Sequence, residues 1–188
     1  FTIRTPHGIP HDLDIADLER KLVEASQGWM DRLRHALPEI CGEEDGNRLF
    51  QQYGKALPAS YQERVDPRLA VADIRAIDSL AKAASDTPIL NLYRRIEDAA
   101  DILRFKLIRR DRPVLLSDTL PILENMGLRV LNEDSSQLHA ADGRDYAIHD
   151  FGLTPTVGGT VDIDRVRASF EAVFLDVLQD RAESDGFN

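Results

Sequence analysis

Residues Ile102–Glu133 read ILRFKLIRRDRPVLLSDTLPILENMGLRVLNE, and this stretch decides the fold. In Ile102–Arg109 the apolar residues Ile102, Leu103, Phe105, Leu107 and Ile108 stand among Arg and Lys, the pattern of a half-buried strand. Asp111-Arg112-Pro113 signals a turn, because proline presets φ and cannot extend a central strand. Ser117 or Asp118 offers an N-cap for a short helix. Leu120, Ile122, Leu123 and Met126 share its inner face, and Gly127 ends it as a left-handed C′ residue. Leu128, Val130 and Leu131 open the next strand. The unit is strand–turn–helix–strand, the heart of a split βαβ.

Downstream, the Leu128 strand continues to His139. Ala140–Arg144 forms a hairpin loop whose Asp142-Gly143 supplies positive φ. Tyr146, Ile148 and Phe151 mark the returning strand. Thr154–Thr160 is a loop, and Asp162 or Asp164 caps a last helix with the stripe Val166, Phe170, Val173, Phe174 and Val177. Upstream, Ile89–Ile96 is a strand that pairs with the Ile102 strand through a short acidic loop of about five residues. The C-terminal half therefore reads β-β-α-β-β-α.

Before Ser85 the pattern is helical. Asp12 or Asp14 opens a helix to about Leu37, with Leu18, Leu22, Ala25, Trp29 and Leu33 on its buried stripe, broken by Pro38 and Gly42. Glu43–Leu57 follows, with Leu49, Phe50, Tyr53 and Leu57 on one side, then a short turn at Ser60–Arg64. Asp66-Pro67 is an N-cap with proline at the first helical position. It starts a helix to about Ala84 that buries Leu69, Ala72, Ile74, Ile77, Leu80 and Ala81. The expected division is a linker at 1–11, a helical segment at 12–85, an α+β domain at 86–182 and a frayed tail at 183–188.

The chain has 188 residues, a net charge of −10 and 43% hydrophobic residues, enough for a core. So acidic a chain is a poor neutraliser of phosphate backbones, which argues against a nucleic-acid partner. No apolar run approaches the roughly 20 residues that cross a bilayer. The lone Cys41 excludes a disulfide framework and fits a reducing, cytoplasmic setting. A start at Phe1 without Met is read as a piece cut from something longer.

For binding, the best candidate is the loop Arg110, Asp111, Arg112, Val114, Leu115, Leu116 and Ser117. Exposed amides and the positive end of the next helix attract carboxylates there, and Arg109, Arg110 and Arg112 can hold an anion. The alternative is a capped turn and a solvated basic edge without ligand. His139 and His149 on neighbouring strands, with Asp142, Asp145 and Asp150 near, match no metal spacing and read as surface histidines. Thr156–Thr160 lacks the Gly-Lys-Ser/Thr of a phosphate loop. No catalytic, cofactor-binding or metal set assembles.

Two resemblances sharpen this. Arg110–Asp118 (RDRPVLLSD) resembles the strand–helix loop of ACT domains, small βαββαβ modules that bind amino acids or similar effectors. That resemblance implies an ACT-like (ferredoxin-like) antiparallel four-stranded sheet with two helices, with Ile89–Ile96 in the place of the missing last strand. Val114 stands where the ACT family typically has glycine, which favours the reading without ligand. Over most of its length the chain is also similar to long-chain bacterial NAD-specific glutamate dehydrogenases. The residues are Gly46–Phe50 with Tyr53-Gly54, Leu57–Tyr61, Asp66–Arg68, Ala70–Ile74, Leu92–Arg94, Leu116–Asp118, Pro121–Val130 and Ile148–Leu153. The resemblance implies a non-catalytic piece of an N-terminal regulatory region, whose parent oxidises glutamate to 2-oxoglutarate and ammonia with NAD. Its expected partners are other domains of the same polypeptide, further copies in a homo-oligomer, and an amino-acid effector.

Overall fold

The computed structural model describes residues 28–111 and 114–179. The leader at 1–11, the first turns of the predicted opening helix with Leu18, Leu22 and Ala25, Arg112 with Pro113, and the tail at 183–188 lie outside the described residues.

The helical part comprises α1 (Trp29–Cys41), α2 (Glu43–Tyr53), a 3₁₀ turn at Gly54–Ala56, α3 (Ala59–Arg64) and α4 (Pro67–Lys82). Contrary to the sequence reading, Pro38 does not end α1. The helix continues one turn past it and stops at Gly42, whose φ of 86° suits glycine. Asp66 caps α4 as expected, its Oδ1 accepting from the Arg68 amide at 2.9 Å with Pro67 at the first helical position. The buried stripe of α4 is rotated from the predicted one. Leu69 is 61% exposed and Ala72 also faces out, while Ala70, Val71, Asp73, Ile74, Ile77, Asp78 and Leu80 are buried.

Next come β1 (Ile89–Tyr93), β2 (Leu103–Arg110), α5 (Leu116–Asn125), β3 (Leu128–His139), β4 (Asp145–Pro155) and α6 (Ile163–Leu178). β1 stops at Tyr93, so the β1–β2 connection spans 94–102, longer than expected. The α5 N-cap position is Leu115, without a side-chain cap bond; Ser117 and Asp118 lie inside the first turn. Gly127 has φ 76° and Gly143 φ 81°, as their turns require. Leu131 is 50% exposed because it occupies a bulge between Val130 and Asn132. Val173, placed on the apolar stripe of α6, is also half exposed.

The sheet is antiparallel in the order β1-β2-β4-β3. With β1 read as the last strand, this is the βαββαβ order expected from the ACT resemblance. Both faces are covered, which is why every residue from Tyr146 to Leu153 in β4 is buried. On one face Phe105, Leu107, Phe151 and Leu153 pack against α5 and α6, centred on Phe174. On the other, Ile108, Leu138, Tyr146 and Ile148 join the core of α1–α4. The helical segment thus closes the face that the C-terminal helices leave open.

Candidate functional site

Among the described residues of the predicted loop, Arg110 is engaged by the helical layer. The Arg110 guanidinium turns back to the C-terminus of α4, one nitrogen donating to the Leu80 and Ala83 carbonyls at 3.0 and 3.3 Å. Asp111 takes a left-handed φ of 59°, its amide donating to the Asp145 carbonyl at 2.8 Å. Val114 is buried in the α5–α6 core, and Leu115 and Leu116 are 59% and 40% exposed. The Ser117 hydroxyl donates to Asp118 at 3.1 Å. Beside the loop lies a cavity of about 290 Å³ lined by Asp111, Gln137, Leu138, His139, Asp145, Tyr146 and Ala147. Its described lining presents two carboxylates and a histidine.

The two strand histidines do not face each other. His139 pairs with Asp145 at 2.6 Å, and His149, four residues further along β4, pairs with Glu133 at 2.7 Å while stacking on Phe151. Among the described residues no group of three or more His, Cys, Asp or Glu is arranged to hold a metal. The residues present do not fit a dinucleotide either. The β2–α5 turn has Asp111 and Val114 where close approach of a pyrophosphate needs glycine, and Gly158-Gly159 lacks the spacing of that motif.

The concentrated chemistry lies elsewhere, in the seam between the sheet and the α1–α4 layer. Lys106 projects from β2 between Phe105 and Leu107, and its Nζ sits 2.8 Å from both oxygens of Asp73 on α4. Tyr61 of α3 donates to the same carboxylate at 2.6 Å. Burial first, and then Asp73 beside it, pushes the Tyr61 hydroxyl well above its ordinary range, so it stays a donor. One strand over, Asp150 of β4 accepts from the Tyr93 hydroxyl at 2.7 Å and from Arg95 at 3.0 Å. Burial, followed by Asp150, likewise raises Tyr93. Arg64, at the end of α3, reaches the β3 edge at Asp134, the Ser135 carbonyl and the Ser136 hydroxyl.

These residues border two cavities. One, about 240 Å³, touches Tyr61, Arg64, Arg95, Lys106, Ser136 and Asp150. The other, about 500 Å³, runs between α4 and the β1 end past Leu69, Ala72, Tyr93 and Ile96. Arg64, Val65, Arg95 and Lys106 border both.

Sequence reasoning passed over this seam. A signal existed: Asp73 occupies a core position of the α4 stripe between Ala70 and Ile77, and Lys106 and Asp150 interrupt apolar strands. A charge at a core position needs a partner, but pairing them requires the sheet to meet the helices.

Comparison with known proteins follows this architecture closely. Residues 36–80 match the family model described as glutamate dehydrogenase, helical motif 2. Residues 88–166 match the one described as glutamate dehydrogenase, ACT3 domain. The whole chain is 36% identical to an NAD-specific glutamate dehydrogenase of Pseudomonas aeruginosa and 38% identical to one of Halomonas elongata, covering 12% of the length of each. A Mycobacterium tuberculosis NAD-specific glutamate dehydrogenase is 31% identical over 71% of the chain, which covers 8% of it. The chain therefore spans about an eighth of the length of the first two relatives.

Proposed function

The chain carries helical motif 2 and the ACT3 domain of the glutamate dehydrogenase family, and from that premise we propose that it is a non-catalytic regulatory and architectural segment of an NAD-dependent glutamate dehydrogenase. The parent enzyme converts glutamate and NAD to 2-oxoglutarate, ammonia and NADH in the cytoplasm, using residues outside this segment. Within it, residues 12–85 and 86–182 act as two modules that move together. One observation carries the reading: the helical layer is fastened to the sheet by the buried Asp73–Lys106 pair, whose side chains are only 5% and 13% exposed. A body closed on both faces of its sheet transmits a load from one neighbour to another without rearranging inside, which suits coupling between domains of one polypeptide and between subunits.

The purified 188-residue chain should produce no NADH from glutamate and NAD, whereas the full-length enzyme does. Turnover by the chain alone overturns the non-catalytic part. Replacing Lys106 by Met in the full-length enzyme should lower its activity or weaken its oligomer, although Lys106 lies outside any catalytic set. Unchanged activity and assembly overturn the architectural part.

A second reading places an amino-acid effector at Arg110–Ser117. The cavity beside Asp111 supports it, while the engagement of Arg110 by α4 and the burial of Val114 favour a ligand-free loop.

A further inference from the structure

The β1–β2 connection is held in place by its own charged residues. Asp98 accepts two hydrogen bonds of 2.8 Å from Arg104, in a largely buried ion pair. The Asp98 amide donates to the Arg95 carbonyl at 3.2 Å, and the Ile102 amide to the Ala99 carbonyl at 2.9 Å. Arg94 closes the base of the loop by donating to the Ile102 carbonyl at 3.1 Å. Within this fixed loop Ile96 is fully exposed, with exposed Glu97 beside it. A loop already ordered in the free chain gives up little further freedom on binding, and an apolar side chain presented that way has the character of an interface anchor.

Next to this knob lies a hole. Ile96 and Glu97 border the groove of about 500 Å³, and Val65, Leu69 and Ala72 border it from the helical layer. Leu69, itself mostly exposed, and Ile96 make an apolar patch rimmed by charge, the pattern of a protein contact. The charges on that rim are opposite and available. Glu97 has no hydrogen-bond or ion-pair partner among the described residues. Arg64 is 38% exposed, and its contacts with Asp134, Ser135 and Ser136 are all long, at 3.3–3.4 Å. Knob, groove, carboxylate and guanidinium thus share one surface. An isologous contact sets residue i of one copy on residue j of the other and j on i, so a second copy brings all four features at once. Any other partner must carry each of them separately.

We propose that this surface is a two-fold interface between copies of the chain. Ile96 of each copy enters the groove of the other against Leu69 and Ala72, and Glu97 pairs with Arg64 of the second copy. The contact uses neither edge strand of the sheet. It gives the architectural reading a specific subunit contact and rests on that reading for its consequence in the parent enzyme, not for the association itself.

The test is sedimentation equilibrium of the 188-residue chain, which should show a reversible monomer–dimer equilibrium. Ile96→Asp should weaken dimerisation at least about a hundredfold, because each dimer loses two buried anchors. Glu97→Arg and Arg64→Glu should each weaken it at least about tenfold, because like charges then meet twice across the axis. Mixing those two variants should restore association, since a mixed dimer pairs Arg with Glu at both places. Should Arg64→Glu fail to fold, which circular dichroism reports, Ile96→Asp on the exposed loop decides the matter. A parent chain still monomeric at about 1 mM, a dimer that survives Ile96→Asp, or a mixture of folded charge variants that stays monomeric overturns the proposal. So does a full-length Ile96→Cys enzyme whose position 96 resists maleimide after dissociation into monomers, a result that assigns the groove to another domain of the same polypeptide. None of these results touches the non-catalytic reading or the Lys106→Met test, which are read from the activity and assembly of the enzyme.

Discussion

Asp78 shows how one buried side chain joins the helices. It lies inside α4, and Arg48 of α2 grips it with two nitrogens at 2.8 and 3.0 Å while Lys82, one turn on, donates at 2.7 Å. Burial works to raise its carboxyl, but Arg48 and Lys82 together outweigh it and hold Asp78 below the usual carboxylate range. A carboxylate with a lower pKa folded than unfolded contributes stability that is full above its unfolded value, about pH 4, and disappears as pH falls through the folded value. Asp98, lowered mainly by the two hydrogen bonds from Arg104, adds to the same limb. Urea unfolding of the chain should therefore weaken steeply below about pH 4. In Asp78→Asn the stability at neutral pH should be lower and the acid loss shallower. An acid limb as steep in the variant as in the parent would show that Asp78 is not one of its titrating groups.

At the scale of elements, α1 and α2 approach each other backbone to backbone at Gly46. A Cβ built on Gly46 would stand 2.4 Å from the Pro38 nitrogen and Cα and 2.6 Å from the Leu37 carbonyl carbon. These are backbone atoms, so no rotamer change relieves the overlap and the helices must separate. Gly46→Ala should cost about 3 kcal/mol in chemical denaturation, although alanine is intrinsically the better helix former. A stabilised variant would mean that the two helices are not in contact at this point. The same pair explains what the sequence concealed. Pro38 reads as a stop, yet the helix runs through it, and that contact with Gly46 is invisible to any one-helix pattern. Where local chemistry sets the outcome, reading was sound: the Asp66-Pro67 start, the Gly127 and Gly143 turns, and the strand–helix–strand unit around Pro121–Val130. Where tertiary packing decides, it failed. Leu69 looked like core and is exposed, while Asp73 and Asp78 are inside because partners on other elements neutralise them. The direction of Arg110 in the candidate loop depends on α4, which lies far upstream in the sequence.

For the whole molecule the question is whether helical layer and sheet unfold together. Their joint core links Leu33, Leu37, Tyr53, Ile74 and Ile77 to Ile108, Tyr146 and Ile148, with an edge-to-face contact between Tyr53 and Tyr146 at 6.3 Å. Lys106 and Asp73 are its polar lock. Removing one member strands a buried charge, whereas replacing both with apolar residues removes the desolvation burden as well. Lys106→Met should therefore destabilise the chain by about 3 kcal/mol, and the double variant Lys106→Met with Asp73→Leu should recover most of that loss. Native-state hydrogen exchange gives the sharper measurement. In the parent chain, slow amides of α4 and β4 should open with one common free energy; in Lys106→Met both should fall together. If α4 loses protection while β4 keeps it, the helical motif detaches as a separate unit and cannot pass a load to the sheet. A common fall means that a force applied to the helices reaches the strand bearing Asp150 without an intervening joint.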